Sequence, residues 1–61
     1  MDRYVGIIYW SDGSKQEVSH WSGANADVQC ERETYGFFQE RSKHFANYSI
    51  KPTRYEVKKV N

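Results

Sequence analysis

The sequence predicts an α+β domain of ββαβ order, a three-stranded antiparallel sheet with spatial order 2-1-3 and one helix packed on one face. Three observations carry this. A β-branched and aromatic run, Arg3–Trp10, stops at Ser11-Asp12-Gly13-Ser14 and is followed by a second strand-like run over 15–21. From 22 to 47 the residues tolerate a helix, with apolar positions at helical spacing. Beyond Pro52, alternation returns over 53–60.

Strand one ends at a turn signal. Asp12-Gly13 suits a two-residue hairpin loop, because a type I′ turn needs positive φ at both central positions and Asp and Gly tolerate it. Folding about that turn sets Ile7 opposite Val18, Val5 opposite His20 and Tyr4 opposite Trp21. Alternation then gives one face of Val5, Ile7, Tyr9, Val18 and His20, and another of Tyr4, Gly6, Ile8, Trp10 and Trp21. In this register the second face also carries Lys15, Glu17 and Ser19 on strand two, poor core residues, so the first face is assigned to the core.

Ser22 or Asn25 is available to cap the helix, and Asp27 lies where the positive end of the helix favours an acid. Ala24, Val28, Tyr35, Phe38, Ser42 and Phe45 form the stripe expected to face the sheet; Ala26, Cys30, Phe37 and His44 form a weaker one nearly opposite. Gly36 costs about 1 kcal/mol against alanine in a helix interior and marks a place for a kink or break. Pro52 sits where a strand can begin, and Tyr55 and Val57 are expected to point inward from strand three. A crossover helix that returns strand three parallel to strand two leaves strand one, the most apolar, between them.

At 61 residues the chain is read as a single domain over 1–61, and a domain of this size hides only about 60% of the surface its unfolded chain exposes. Cys30 is the only cysteine, so no internal disulfide adds to its stability. There is no apolar run near the roughly 20 residues needed to cross a bilayer, and the charged pair Asp2-Arg3 after Met1 is unlike a signal peptide. The expectation is a complete, cytoplasmic chain that does not enter a membrane. The formal net charge of +1 is neither the basic footprint of a nucleic-acid binder nor that of an acidic DNA mimic.

No cofactor or metal is expected. His20, Cys30 and His44 match no zinc spacing, and on one continuous helix Cys30 and His44 would stand about 21 Å apart. Ser19 and His20, as strand neighbours, point to opposite faces and cannot pair as nucleophile and base. The mixed charges Glu31, Arg32, Glu33, Glu40, Arg41 and Lys43 read as a solvated helix face, so the chain is expected not to be an enzyme.

The remaining signal is aromatic: two Trp, five Tyr and three Phe are more large rings than one helix on one sheet face shelters. Tyr4, Ile8, Trp10 and Trp21, beside Arg54 and Lys58, are the expected partner-binding face, since Trp, Tyr and Arg dominate binding hot spots. Cys30, Phe37 and His44 form a second candidate patch. The first reading is a module that docks on another protein. Stacking of single-stranded nucleic acid on Tyr4, Trp10 or Trp21 is the second, disfavoured by Glu17 and Glu56; a homodimer through the same face satisfies the same physics.

In layout, the strand, Ser-Asp-Gly-Ser turn, strand, helix and final Arg54-Tyr55-Glu56-Val57-Lys58-Lys59-Val60 strand resemble small bacteriophage proteins that disable host machinery, among them the phage inhibitor of bacterial RNA polymerase and several anti-CRISPR proteins. The resemblance implies a stoichiometric inhibitor in the cytoplasm of a bacterial host, occupying a surface of a host enzyme or defence complex. No functional position is carried over from it.

Overall fold

The computed structural model describes residues 2–60, so the two ends of the predicted domain, Met1 and Asn61, lie outside the described residues. The elements are β1 (Arg3–Trp10), β2 (Lys15–Ser22), α1 (Ala26–His44) and β3 (Pro52–Lys59). The sheet order is β2-β1-β3, with β1 antiparallel to both neighbours, so β2 and β3 run parallel and α1 is the crossover between them. This is the expected α+β architecture.

The β1–β2 hairpin differs from expectation in one residue, with large consequences. Gly13 N–H donates to Trp10 O at 3.0 Å and Trp10 N–H to Ser14 O at 2.9 Å, which closes a three-residue loop of Ser11, Asp12 and Gly13. Only Gly13 takes positive φ there, at 92°. Asp12 Oδ1 instead accepts from Ser14 N–H (3.0 Å) and Ser14 Oγ (2.6 Å), which holds its carboxyl below the usual carboxylate range.

The longer loop sets Tyr9 against Lys15 and Ile7 against Glu17, and the register then shifts so that Gly6 pairs with Ser19, Val5 with His20 and Tyr4 with Trp21. Val18 is the extra residue of this bulge rather than the partner of Ile7. Because side-chain direction alternates, the bulge separates Lys15 and Glu17 from Ser19 and Trp21 and puts the two pairs on opposite faces.

The face assignment is therefore reversed. α1 packs on the face of Gly6, Ile8 and Trp10, and Ile8 is wholly buried beneath it. Two further anchors lie on that side: Ser19 Oγ donates to Glu33 at 2.6 Å, and Tyr55 packs against Phe38, ring centroids 5.4 Å apart. Tyr55 does point inward, toward the helix.

Small residues allow the approach. Ala26, Cys30 and Thr34 are the buried positions of α1, and Cys30 Sγ and Thr34 Oγ1 are 3.9 Å apart. A Cβ on Gly6 would lie 2.9 Å from Thr34 Cβ and still closer to its Oγ1, so only glycine fits. The predicted weak stripe, Ala26 and Cys30, thus faces the sheet, whereas Val28 and Tyr35 of the predicted strong stripe are exposed. Phe38 and Phe45 do pack inward in the second half. The helix runs unbroken through Gly36 for 19 residues. It begins at Ala26, after Asn25 in a left-handed conformation (φ 63°) whose side chain makes no cap.

No second layer of described residues covers the reverse face, yet Val5 and Ile7 are 5% and 4% exposed. Their neighbours explain it. His20 and Lys58 flank Val5, Glu17 and Glu56 flank Ile7, and Lys15 and Arg54 flank Tyr9. Long side chains in such flanking positions can cover a central strand with their apolar parts while their polar ends meet water or one another. The Arg54 guanidinium sits 3.8 Å from the centre of the Tyr9 ring, and Tyr9 OH donates to Glu56 at 2.6 Å.

Candidate functional site

An open concavity of about 560 Å³ lies between the C-terminal half of α1 and the end of the β1–β2 hairpin, lined by Trp10, Gln16, Glu40, Arg41, His44 and Phe45. Sequence places each wall. Trp10 is the last residue of β1 and shares the helix-side face with Ile8 and Gly6, so it projects under the end of α1. Gln16 pairs with Ile8 on the adjacent strand. Glu40 and Arg41 each lie one turn before His44 on α1.

Phe45 ends the helix, its N–H donating to Arg41 O at 2.9 Å, and its ring meets Trp10 edge to face at 5.0 Å. The His44 ring lies 4.8 Å from Phe45 and stacks on Tyr48 at 6.2 Å and 20°, and Phe45 and Tyr48 are 5.0 Å apart. Four rings thus form one cluster. Ser11 fastens the connection that carries Tyr48: its N–H donates to Lys51 O at 2.8 Å, and its Oγ accepts from Lys51 N–H at 3.0 Å.

The groove lining pairs one cation, Arg41, with one acid, Glu40, and two lysines stand near it. Arg41 lies over the Phe37 ring at 5.1 Å, Lys43 and His44 occupy the last turn of α1, and Lys51 Nζ reaches Ala46 O at 3.5 Å; Glu40 is the acid among them. Cations here also meet the negative end of the helix. Outside the groove, Tyr48 and Ile50 stand 55% and 47% exposed.

The six residues expected to form one binding face are dispersed. Trp10 is in the groove. Ile8 is buried and offers nothing to a partner. Tyr4 and Trp21 pair across β1 and β2 at the opposite end, where with Arg3, His20, Ser22 and Val60 they line a smaller hollow of about 240 Å³. Trp21 is 37% exposed and its indole N–H donates to Glu33 at 3.2 Å. Arg54 and Lys58 lie on the reverse face, because they pair with Tyr9 and Val5. The second candidate patch separates too: Cys30 is buried against the sheet, Phe37 is half-buried under Arg41, and His44 belongs to the groove.

Arg41, Phe45 and Tyr48 were not among the expected binding residues. Their signal was the run of aromatic and basic residues from 41 to 51, which lies across the boundary of helix and connection and has no single periodicity.

Among the described residues no group of three or more His, Cys, Asp and Glu is placed to hold a metal, and no helix is long and apolar enough to cross a membrane. The described residues form a small ββαβ domain with a ring-lined groove at the C-terminal end of α1. No family model, curated protein or solved structure shows significant similarity to it.

Proposed function

We propose that this is a non-enzymatic protein-binding module, of the kind phages use in the host cytoplasm, that inhibits by occupying a surface of a host enzyme or defence complex. The observation that carries the binding reading is an open groove lined by Trp10, Arg41, His44 and Phe45, with Tyr48 packed on His44 and Phe45 just outside it. Aromatic side chains and arginine supply most of the energy at protein interfaces, and here packing and backbone bonds hold them in place before any partner arrives. The partner chemistry that fits is an apolar anchor followed by a carboxylate, because Arg41 lines the groove and Lys43 and Lys51 stand near it, against Glu40 in the lining. Inhibition is supported by the layout resemblance alone.

Affinity capture from lysate of a bacterial host tests this with wild type, Arg41→Glu, Tyr48→Ala and, as a control on the reverse face, Arg54→Ala. Wild type and the control are expected to retain one host protein, and the Arg41 and Tyr48 variants each to weaken that complex by about 2 kcal/mol. A partner that ignores both substitutions would remove the site from the groove and the ring cluster beside it. A labelled single strand that binds tightly and is released by salt would transfer it to nucleic acid.

A further inference from the structure

Beside the groove, the fold leaves a second surface unpartnered: the outer edge of β3, and we propose that it pairs antiparallel with the same edge of a second copy of this chain. Val60 N–H donates to Arg3 O at 2.9 Å, and the ladder runs Val5 to Lys58, Ile7 to Glu56 and Tyr9 to Arg54. In an antiparallel ladder these residues turn their N–H and C=O groups toward β1, so those of Tyr55 and Val57 point away from the sheet. Among the described residues no turn or loop hydrogen bond ends on them. The other edge, β2, is broken by the Val18 bulge, an irregularity that hinders strand addition.

Two independent features single out a second copy as the occupant. The flank of α1 above β3 presents exposed apolar groups around one anchored acid: Val28 and Tyr35 are 47% and 48% exposed, the Tyr35 and Tyr55 ring centroids are 5.9 Å apart, and Glu31 between them accepts from Tyr55 OH at 2.7 Å. A two-fold axis at Tyr55 brings the Tyr35–Tyr55 pair of each copy together on the helix side. On the reverse face the charges of β3 are self-complementary. In the register centred on Tyr55, Thr53 opposes Val57, and Arg54 of each copy opposes Glu56 of the other. The register centred on Glu56 would instead set Glu56 against itself and Arg54 against Lys58. Centring on Val57 would place Lys59 opposite Tyr55 and draw the tyrosine pairs apart. Lys58 and Lys59 thus confine pairing to the segment around Tyr55, and the groove, on the β2 side, stays free in both copies.

The test combines sedimentation with amide hydrogen exchange on the full chain at low and high protein concentration. Self-association is expected, with the Tyr55 and Val57 amides, exchangeable in the monomer, becoming protected as concentration rises. Arg54→Glu is expected to weaken the dimer about tenfold or more, and the double variant Arg54→Glu/Glu56→Arg to restore it, since the pairs are re-formed with reversed sign. A chain that sediments as a monomer at every concentration overturns the proposal. So does a dimer whose formation leaves the Tyr55 and Val57 amides unprotected, or one indifferent to Arg54→Glu. If the variants do not fold, the exchange measurement on wild type decides.

Discussion

Gly6 has no side chain, and α1 uses that vacancy to seat Thr34 on the central strand. Since an added Cβ would meet Thr34 Cβ at 2.9 Å with backbone on both sides, Gly6→Ala is expected to cost about 2 kcal/mol or more, read as a lower urea midpoint. Thr34→Ala relieves part of the collision, so the two substitutions together are expected to cost less than their sum; strict additivity would show that the helix does not approach there. A second residue-scale prediction concerns acid. The hydrogen bond from Tyr9 holds the Glu56 carboxyl below its ordinary range. A depressed carboxylate contributes stability that is complete above the unfolded value, about pH 4.3, and lost as pH falls through the folded one. Glu56→Gln is therefore expected to be less stable than wild type at neutral pH and to converge with it in acid. Parallel curves would place the acid sensitivity elsewhere, with Asp12, depressed by Ser14, the next group to test. The same bond raises Tyr9, so its contribution holds below the unfolded tyrosine value and fades as pH rises through the folded one.

At the scale of elements, α1 carries an uncompensated weakness in Gly36, which is exposed, helical and open to an added methyl. Gly36→Ala is expected to stabilise by up to about 1 kcal/mol, visible as a higher thermal midpoint with unchanged circular dichroism; destabilisation would mean that the helix bends there in solution. The elements were legible in the sequence, because each rests on local signals: β-branched and aromatic runs for the strands, a Gly-containing turn after Trp10, and Pro52 at the start of β3. The bulge at Val18 was not legible. It follows from the three-residue loop, and the choice between that loop and a two-residue one depends on whether Asp12 takes positive φ or caps Ser14. One residue of slip then moved Lys15 and Glu17 to the other face, which removed the reason for assigning Val5, Ile7 and Tyr9 to the helix side.

For the whole molecule, the groove and the β3 edge lie on different flanks and share no side chain. Partner capture through Arg41 and Tyr48 is accordingly expected to be unchanged by Arg54→Glu, measured by the same retention assay; loss of capture in that variant would tie the two surfaces together. The groove itself was only partly legible, since Trp10 and His44 were expected binders but stood in separate patches, and only the meeting of a strand end, a helix end and a loop unites them.

By itself the sequence determined the element types, their order and the central position of β1, because propensity, turn chemistry and strand alternation act over a few neighbouring residues. Only the tertiary structure decided which face of the sheet α1 covers. Both faces of β1 are apolar, so alternation sorts its side chains into two sets without ranking them. The ranking comes from contacts distant in sequence: Gly6 and Ser19 admit the small-residue side of α1, whereas the reverse face would require a helix to desolvate Lys15, Glu17, His20, Arg54, Glu56 and Lys58 together.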